Sequence, residues 1–201
     1  MLLDADDCQL VLVDYQIRLM PALHDSAAVI ANAVRLGRMA EVMQVPCFGT
    51  EQNPTKLGEN LPEIRALCQK TLAKMHFSAC ADGLVDWLRP PAQPQRGNAR
   101  SLPKHLQKNQ ADDSEARTTI VVAGCESHVC LLQTVLDLID EEFDVWVVTD
   151  ACSSRTERSR DAAFDRLAGA GAELVTTEMV AFEWLRTADH PAFKTLQALI
   201  K

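Results

Sequence analysis

Apolar residues follow two rhythms along this chain, and the alternation between them predicts the fold. The runs at residues 8–16 (CQLVLVDYQ), 45–50, 118–123, 144–150 and 173–177 are short, unbroken and rich in branched side chains, as buried strands are. Residues 71–75 make a weaker sixth. Between them stand stretches of helical spacing. Ile30, Ala33, Val34, Gly37 and Ala40 form one stripe of a helix running to about Gln44, with Ser26 expected as its cap. Leu131, Leu132, Val135, Leu136 and Ile139 form another. Shorter or weaker helices are predicted over 62–69, 82–88, 156–171 and 190–200, the first opened by Pro62. Strands alternating with amphipathic helices predict an α/β fold. The expected form is a three-layer, doubly wound sheet, mostly parallel, of about six strands with helices on both faces.

One stretch breaks the rhythm. Residues 89–117 carry Pro90, Pro91 and Pro94, many polar residues and almost no apolar periodicity. They are expected to be a long exposed loop inserted into a single domain spanning 1–201. Composition narrows the role of such a domain. A net charge of −8 argues against nucleic acid or an anionic membrane as partner. No apolar run approaches the roughly 20 residues that span a bilayer. The opening MLLDADDC lacks the basic-then-apolar order of a secretion signal. Seven scattered cysteines without a C-x-x-C suit a reducing compartment, so a cytoplasmic location is expected. The five histidines show no metal-binding spacing, and no metal or cofactor is expected.

In a parallel doubly wound sheet the reactive crevice lies beyond the carboxyl ends of the strands. Asp14, Glu51, Lys74 and the loop at 125–130 all fall at such ends in this reading. Cys130 sits where a strand gives way to a helix, and unpaired N–H groups at a helix start favour an anion there. A thiol so placed is expected to have a lowered pKa and to react as thiolate. The alternative is a small buried apolar residue. Asp14 ends an apolar strand, either as a local cap or as a base, and Lys74 is either a surface lysine or the cation of a site. Taken together the three supply a nucleophile, a proton acceptor and a charge to hold both. His128 invites a Cys–His pairing, but two residues apart in a tight loop the side chains are expected to diverge.

With these residues in view, the chain resembles the isochorismatase-like cysteine hydrolases over nearly its whole length outside 89–117. The matching features are D-x-Q at Asp14 to Gln16, K-x-x-F-S at Lys74 to Ser78 and G-x-E-x-H-x-C at Gly124 to Cys130, followed by LLQTVLDL. TEQNPTKLG at 50–58 and TDACSSR at 149–155 look closest to the branch of isochorismatase domain-containing proteins. The resemblance implies a triad of Asp14, Lys74 and Cys130. It also implies a cis peptide before Glu126 and an oxyanion hole made by the backbone N–H groups of Glu126 and Cys130. Gln16, Glu51, Gln52 and Phe77 are expected to shape the substrate pocket. Nicotinamidases of this superfamily carry an Asp and histidines after the second strand. GTEQNPT here has no histidine, so neither a catalytic metal nor nicotinamide is expected. A small-molecule substrate cut at an amide or related C–N bond, and a homo-oligomer, are what the resemblance implies. Two other readings stay open: a binding or regulatory protein whose contacts lie on the 89–117 insertion, and a redox-responsive thiol at Cys130.

Overall fold

The computed structural model describes residues 1–90 and 117–201. Its centre is one six-stranded sheet in the order β3-β2-β1-β4-β5-β6, with every neighbouring pair parallel. The strands are β1 (Cys8–Val13), β2 (Cys47–Gln52), β3 (Lys70–Lys74), β4 (Thr119–Gly124), β5 (Asp144–Val148) and β6 (Glu173–Val175). Every residue of β1, β2 and β4 is buried, which is why these strands show no polar alternation. The eight helices of the described residues are α1 (Ser26–Val42), α2 (Pro54–Leu57), α3 (Pro62–Arg65), α4 (Leu84–Leu88), α5 (Leu132–Asp140), α6 (Glu157–Gly169), α7 (Thr177–Leu185) and α8 (Phe193–Ile200). Helices α1, α7 and α8 pack together, and α5 packs with α6. The sheet and its two helical layers are those the hydrophobic rhythm predicts.

From β1 the chain winds outward through β2 and β3, then returns to the other side of β1 as β4 and winds outward again. Strands β1 and β4 therefore flank the point where the winding reverses, and the crevice forms beyond their carboxyl ends. Asp14 leaves β1 there and the Gly124–Cys130 loop leaves β4. Gly124 faces Val13 directly in the β1–β4 register. A Cβ on Gly124 would stand 2.5 Å from both Cβ and O of Val13, so only glycine fits.

Several elements differ from expectation. Helix α7 is absent from the sequence reading because Met179 and Phe182, both exposed, add apolar residues outside its buried stripe and blur the pattern. Its buried Val180, Ala181, Trp184 and Leu185 sit among neighbouring helices. Thr176 caps it, with Oγ1 accepting from Met179 N at 3.3 Å. Ser26 makes no cap. It is the first helical residue of α1, and Asp25 before it is left-handed with no side-chain capping bond. Helix α3 stops at Arg65, and β5 ends at Val148 in a tight 3-10 turn. Almost all of the predicted insertion at 89–117 lies outside the described residues. Among the described residues, no helix is long and apolar enough to cross a membrane.

Candidate active site

The site is built where β1, β2, β3 and β4 end. Asp14 directly follows β1 with φ of 55°, a left-handed conformation that Asp adopts more readily than most residues. Its carboxylate has two distinct partners. Oδ1 accepts from Thr50 Oγ1 at 2.7 Å, and Oδ2 accepts from Lys74 Nζ at 2.8 Å. Both ionic side chains have no solvent exposure at all. Charges removed from water need replacement partners. Lys74, the last residue of β3, finds them in Asp14, in Gln52 Oε1 at 2.8 Å, and in the carbonyls of Phe77 at 3.0 Å and His76 at 3.4 Å.

Cys130 completes the cluster. It lies in a π-helical turn, Ser127–Leu131, immediately ahead of α5, and is 6 % exposed. Its Sγ is 3.9 Å from Gln52 Oε1, and the charges of Asp14 and Lys74 both act on the thiol. The thiol pKa is pushed up to about 12, first by burial and then by the negative charge of Asp14, with the Lys74 ammonium opposing. The expected lowering is therefore overturned. Losing the water that would solvate a thiolate outweighs what one shared ammonium returns. At neutral pH Cys130 therefore rests as the protonated thiol.

The loop that carries Cys130 is held from several sides. Cys125 N donates to Val13 O at 2.9 Å, Ser127 N to Ser153 O at 2.8 Å, and the Cys125–Glu126 peptide is cis. The Glu126 carboxylate points to Arg155, accepting from its backbone N at 3.1 Å and from Nε at 3.0 Å. Among the described residues the Glu126 N–H has no hydrogen-bond acceptor. His128 turns aside as expected, its Nδ1 standing 2.9 Å from Ser154 Oγ.

The four residues expected to shape a pocket divide into different roles. Gln52 lies inside the cluster, bridging Lys74 to the thiol, with its Nε2 donating to Met75 O at 2.8 Å. Gln16 is fully buried and braces the rim. Its Nε2 donates to Gln52 O and Gly58 O, and its Oε1 accepts from Gln52 N. The Glu51 carboxylate is occupied by Asn60 N at 2.8 Å, so it fastens the 53–60 loop. Phe77 offers its carbonyl to Lys74 and is 51 % exposed. Thr50 was missed. The one sequence signal for it is a hydroxyl placed near the carboxyl end of an otherwise buried strand. Among the described residues, no group of three or more His, Cys, Asp or Glu is arranged to hold a metal ion.

A family model described as the isochorismatase domain matches residues 99–179. Isochorismatase domain-containing protein 2A of Mus musculus is 32% identical over 192 residues, which cover 96% of this chain and 82% of that protein. Among solved structures, MAR1 ribonuclease from Caenorhabditis elegans superposes with a TM-score of 0.83 at 28% identity, covering 100% of this chain and 92% of that one. The YcaC gene product of Escherichia coli, described as an octameric hydrolase of unknown specificity, gives 0.79 at 27% identity, with 99% and 90% covered.

Proposed function

The chain belongs to the isochorismatase family, and on that premise we propose that it is a metal-independent cysteine hydrolase acting on a small amide or related C–N bond. The single observation that carries this reading is the closed juxtaposition of Cys130, Asp14, Lys74 and Gln52 at the point where the sheet reverses its winding. A thiol held up to about 12 cannot attack unaided at neutral pH. It needs a base that takes its proton as the bond forms, and Asp14 is beside it. Cys130 Sγ bonds to the carbonyl carbon while its proton passes to Asp14. The carbonyl π pair moves onto oxygen, where the N–H groups of Glu126 and Cys130 are the donors proposed to receive it. Collapse breaks the C–N bond and the amine leaves with the proton from Asp14. Water then adds to the thioester, giving its proton to Asp14, and the acid departs as the proton returns to sulfur.

In this scheme Lys74 stays protonated. It holds Asp14 in place through Oδ2, and its charge offsets the anion that builds at sulfur. Thr50 fixes the other oxygen and Gln52 ties the ammonium to the thiol. A ribonuclease activity, which the name of the C. elegans neighbour raises, is disfavoured by the net charge of −8. The octameric E. coli neighbour supports assembly into a homo-oligomer, which light scattering on the purified chain tests directly.

The functional test is a screen of small amides, ureas and carbamates with mass-spectrometric detection of an acyl adduct. Wild type should release amine and carry the adduct on Cys130, while Cys130→Ala should lose at least about 10³-fold in rate. Turnover unchanged in that variant ends the proposal.

A further inference from the structure

We propose that Cys47 and Cys68, far from Cys130, form a reversible dithiol–disulfide pair whose oxidising substrate is hydrogen peroxide. Cys47 opens β2 at its amino end, whereas the site residues Thr50 to Gln52 close it, so the pair lies at the opposite edge of the sheet. The two sulfurs are 4.0 Å apart. Their backbones are pinned side by side, because Gln69 N donates to Cys47 O at 2.8 Å and Phe48 pairs with Lys70 in the β2–β3 register. A disulfide needs sulfurs about 2.05 Å apart. Rotation about the two Cα–Cβ bonds is the movement proposed to close the remaining gap.

The two thiols divide the labour. Cys68 is half-buried and Cys47 is buried, and both line a surface recess of about 220 Å³ bounded by Glu41, Val45, Leu67 and Gln69. The hydrogen bond between the two sulfurs lowers the Cys68 thiol against the opposing effect of burial, and the same bond together with burial raises Cys47; the Cys68 thiol also donates to Ile64 O at 3.3 Å. Cys130, by contrast, is held protonated. Cys68 is thus the thiol suited to peroxide, in place of the redox role considered for Cys130. The Cys68 thiolate attacks one peroxide oxygen, the O–O bond breaks, and hydroxide leaves and is protonated to water. This gives a sulfenic acid at Cys68. Cys47 then loses its proton and attacks the Cys68 sulfur, the S–O bond breaks, and a second water leaves. Two thiols have given up two electrons and the peroxide has been reduced to two waters. A small thiol reverses the bridge by exchange.

Trypsin separates the two cysteines, into peptides 39–56 and 66–70. The native chain is treated with equimolar hydrogen peroxide, alkylated, digested without reductant and mapped by mass. The expected product joins these peptides within one chain, forms equally in Cys130→Ser, and disappears with dithiothreitol. Cys47→Ser should trap Cys68 as a dimedone-reactive sulfenic acid, and Cys68→Ser should leave Cys47 alkylatable. Because wild type and Cys130→Ser both retain the pair, the test does not depend on the stability of the two serine variants. Oxidation that consumes Cys130 and leaves Cys47 and Cys68 as free thiols overturns the proposal, as does a Cys47–Cys68 link found only between chains. Neither outcome bears on the hydrolase reading, which the amide screen decides.

Discussion

At the scale of single residues, the decisive fact is that Cys130 holds its proton. Burial and Asp14 together raise the thiol to about 12. Alkylation of Cys130 by a neutral reagent should therefore accelerate about tenfold per pH unit from neutrality upward, with no levelling near 9. A plateau in the ordinary cysteine range, in a pH series read by peptide mapping, would refute a resting thiol. Lys74 is the second sensitive residue. Replacing it with Met leaves Asp14 charged, buried and without its ammonium. That change should destabilise the fold by about 3–5 kcal/mol in urea titration and abolish amide turnover. Gln52→Leu removes a neutral bridge, so its stability cost should be smaller, about 1–3 kcal/mol.

Among the elements, close packing of strands and capping of helices place the site. Gly124 ends β4 against Val13 of β1, the two strands that flank the crevice. A methyl group there has backbone and Cβ atoms of Val13 in its way, none of them the end of a flexible side chain. Gly124→Ala should cost about 1–3 kcal/mol by thermal or urea unfolding, and activity should fall with it because β4 delivers the Cys130 loop. Thr176→Ala removes the α7 cap and should cost about 1 kcal/mol with little effect on catalysis. An equal loss of activity in both variants would argue against β4 as the positioning element.

For the whole molecule, burial of thiols sets the response to alkali. Cys8 is raised to about 11, and Cys80, Cys130 and Cys152 to about 12, each principally by desolvation. These acids hold their protons more tightly folded than unfolded. The stability linked to them is complete below the ordinary thiol value of 9.0 and is lost as pH climbs from there towards about 12. The urea midpoint should fall steeply across that window. Cys152→Ser, which keeps a small side chain at a fully buried site without an acidic thiol, should flatten the fall.

The hydrophobic rhythm alone determined the sheet, its parallel sense and most of its helices, because apolar runs and stripes are local consequences of burial. Asp14, Lys74 and Cys130 were legible as candidates because each stands at or just beyond the carboxyl end of a strand. Helix α7 was not legible, since Met179 and Phe182 place apolar side chains on its exposed face and blur the buried stripe of Val180, Ala181, Trp184 and Leu185. Nor were Thr50 and Gln52 as partners of one ion pair, because hydrogen bonds between distant residues leave no mark on spacing. The Cys130 proton depended most of all on the tertiary structure. A helix start in water favours the thiolate, but the folded chain removes the water and sets a carboxylate beside the sulfur, and those two effects prevail.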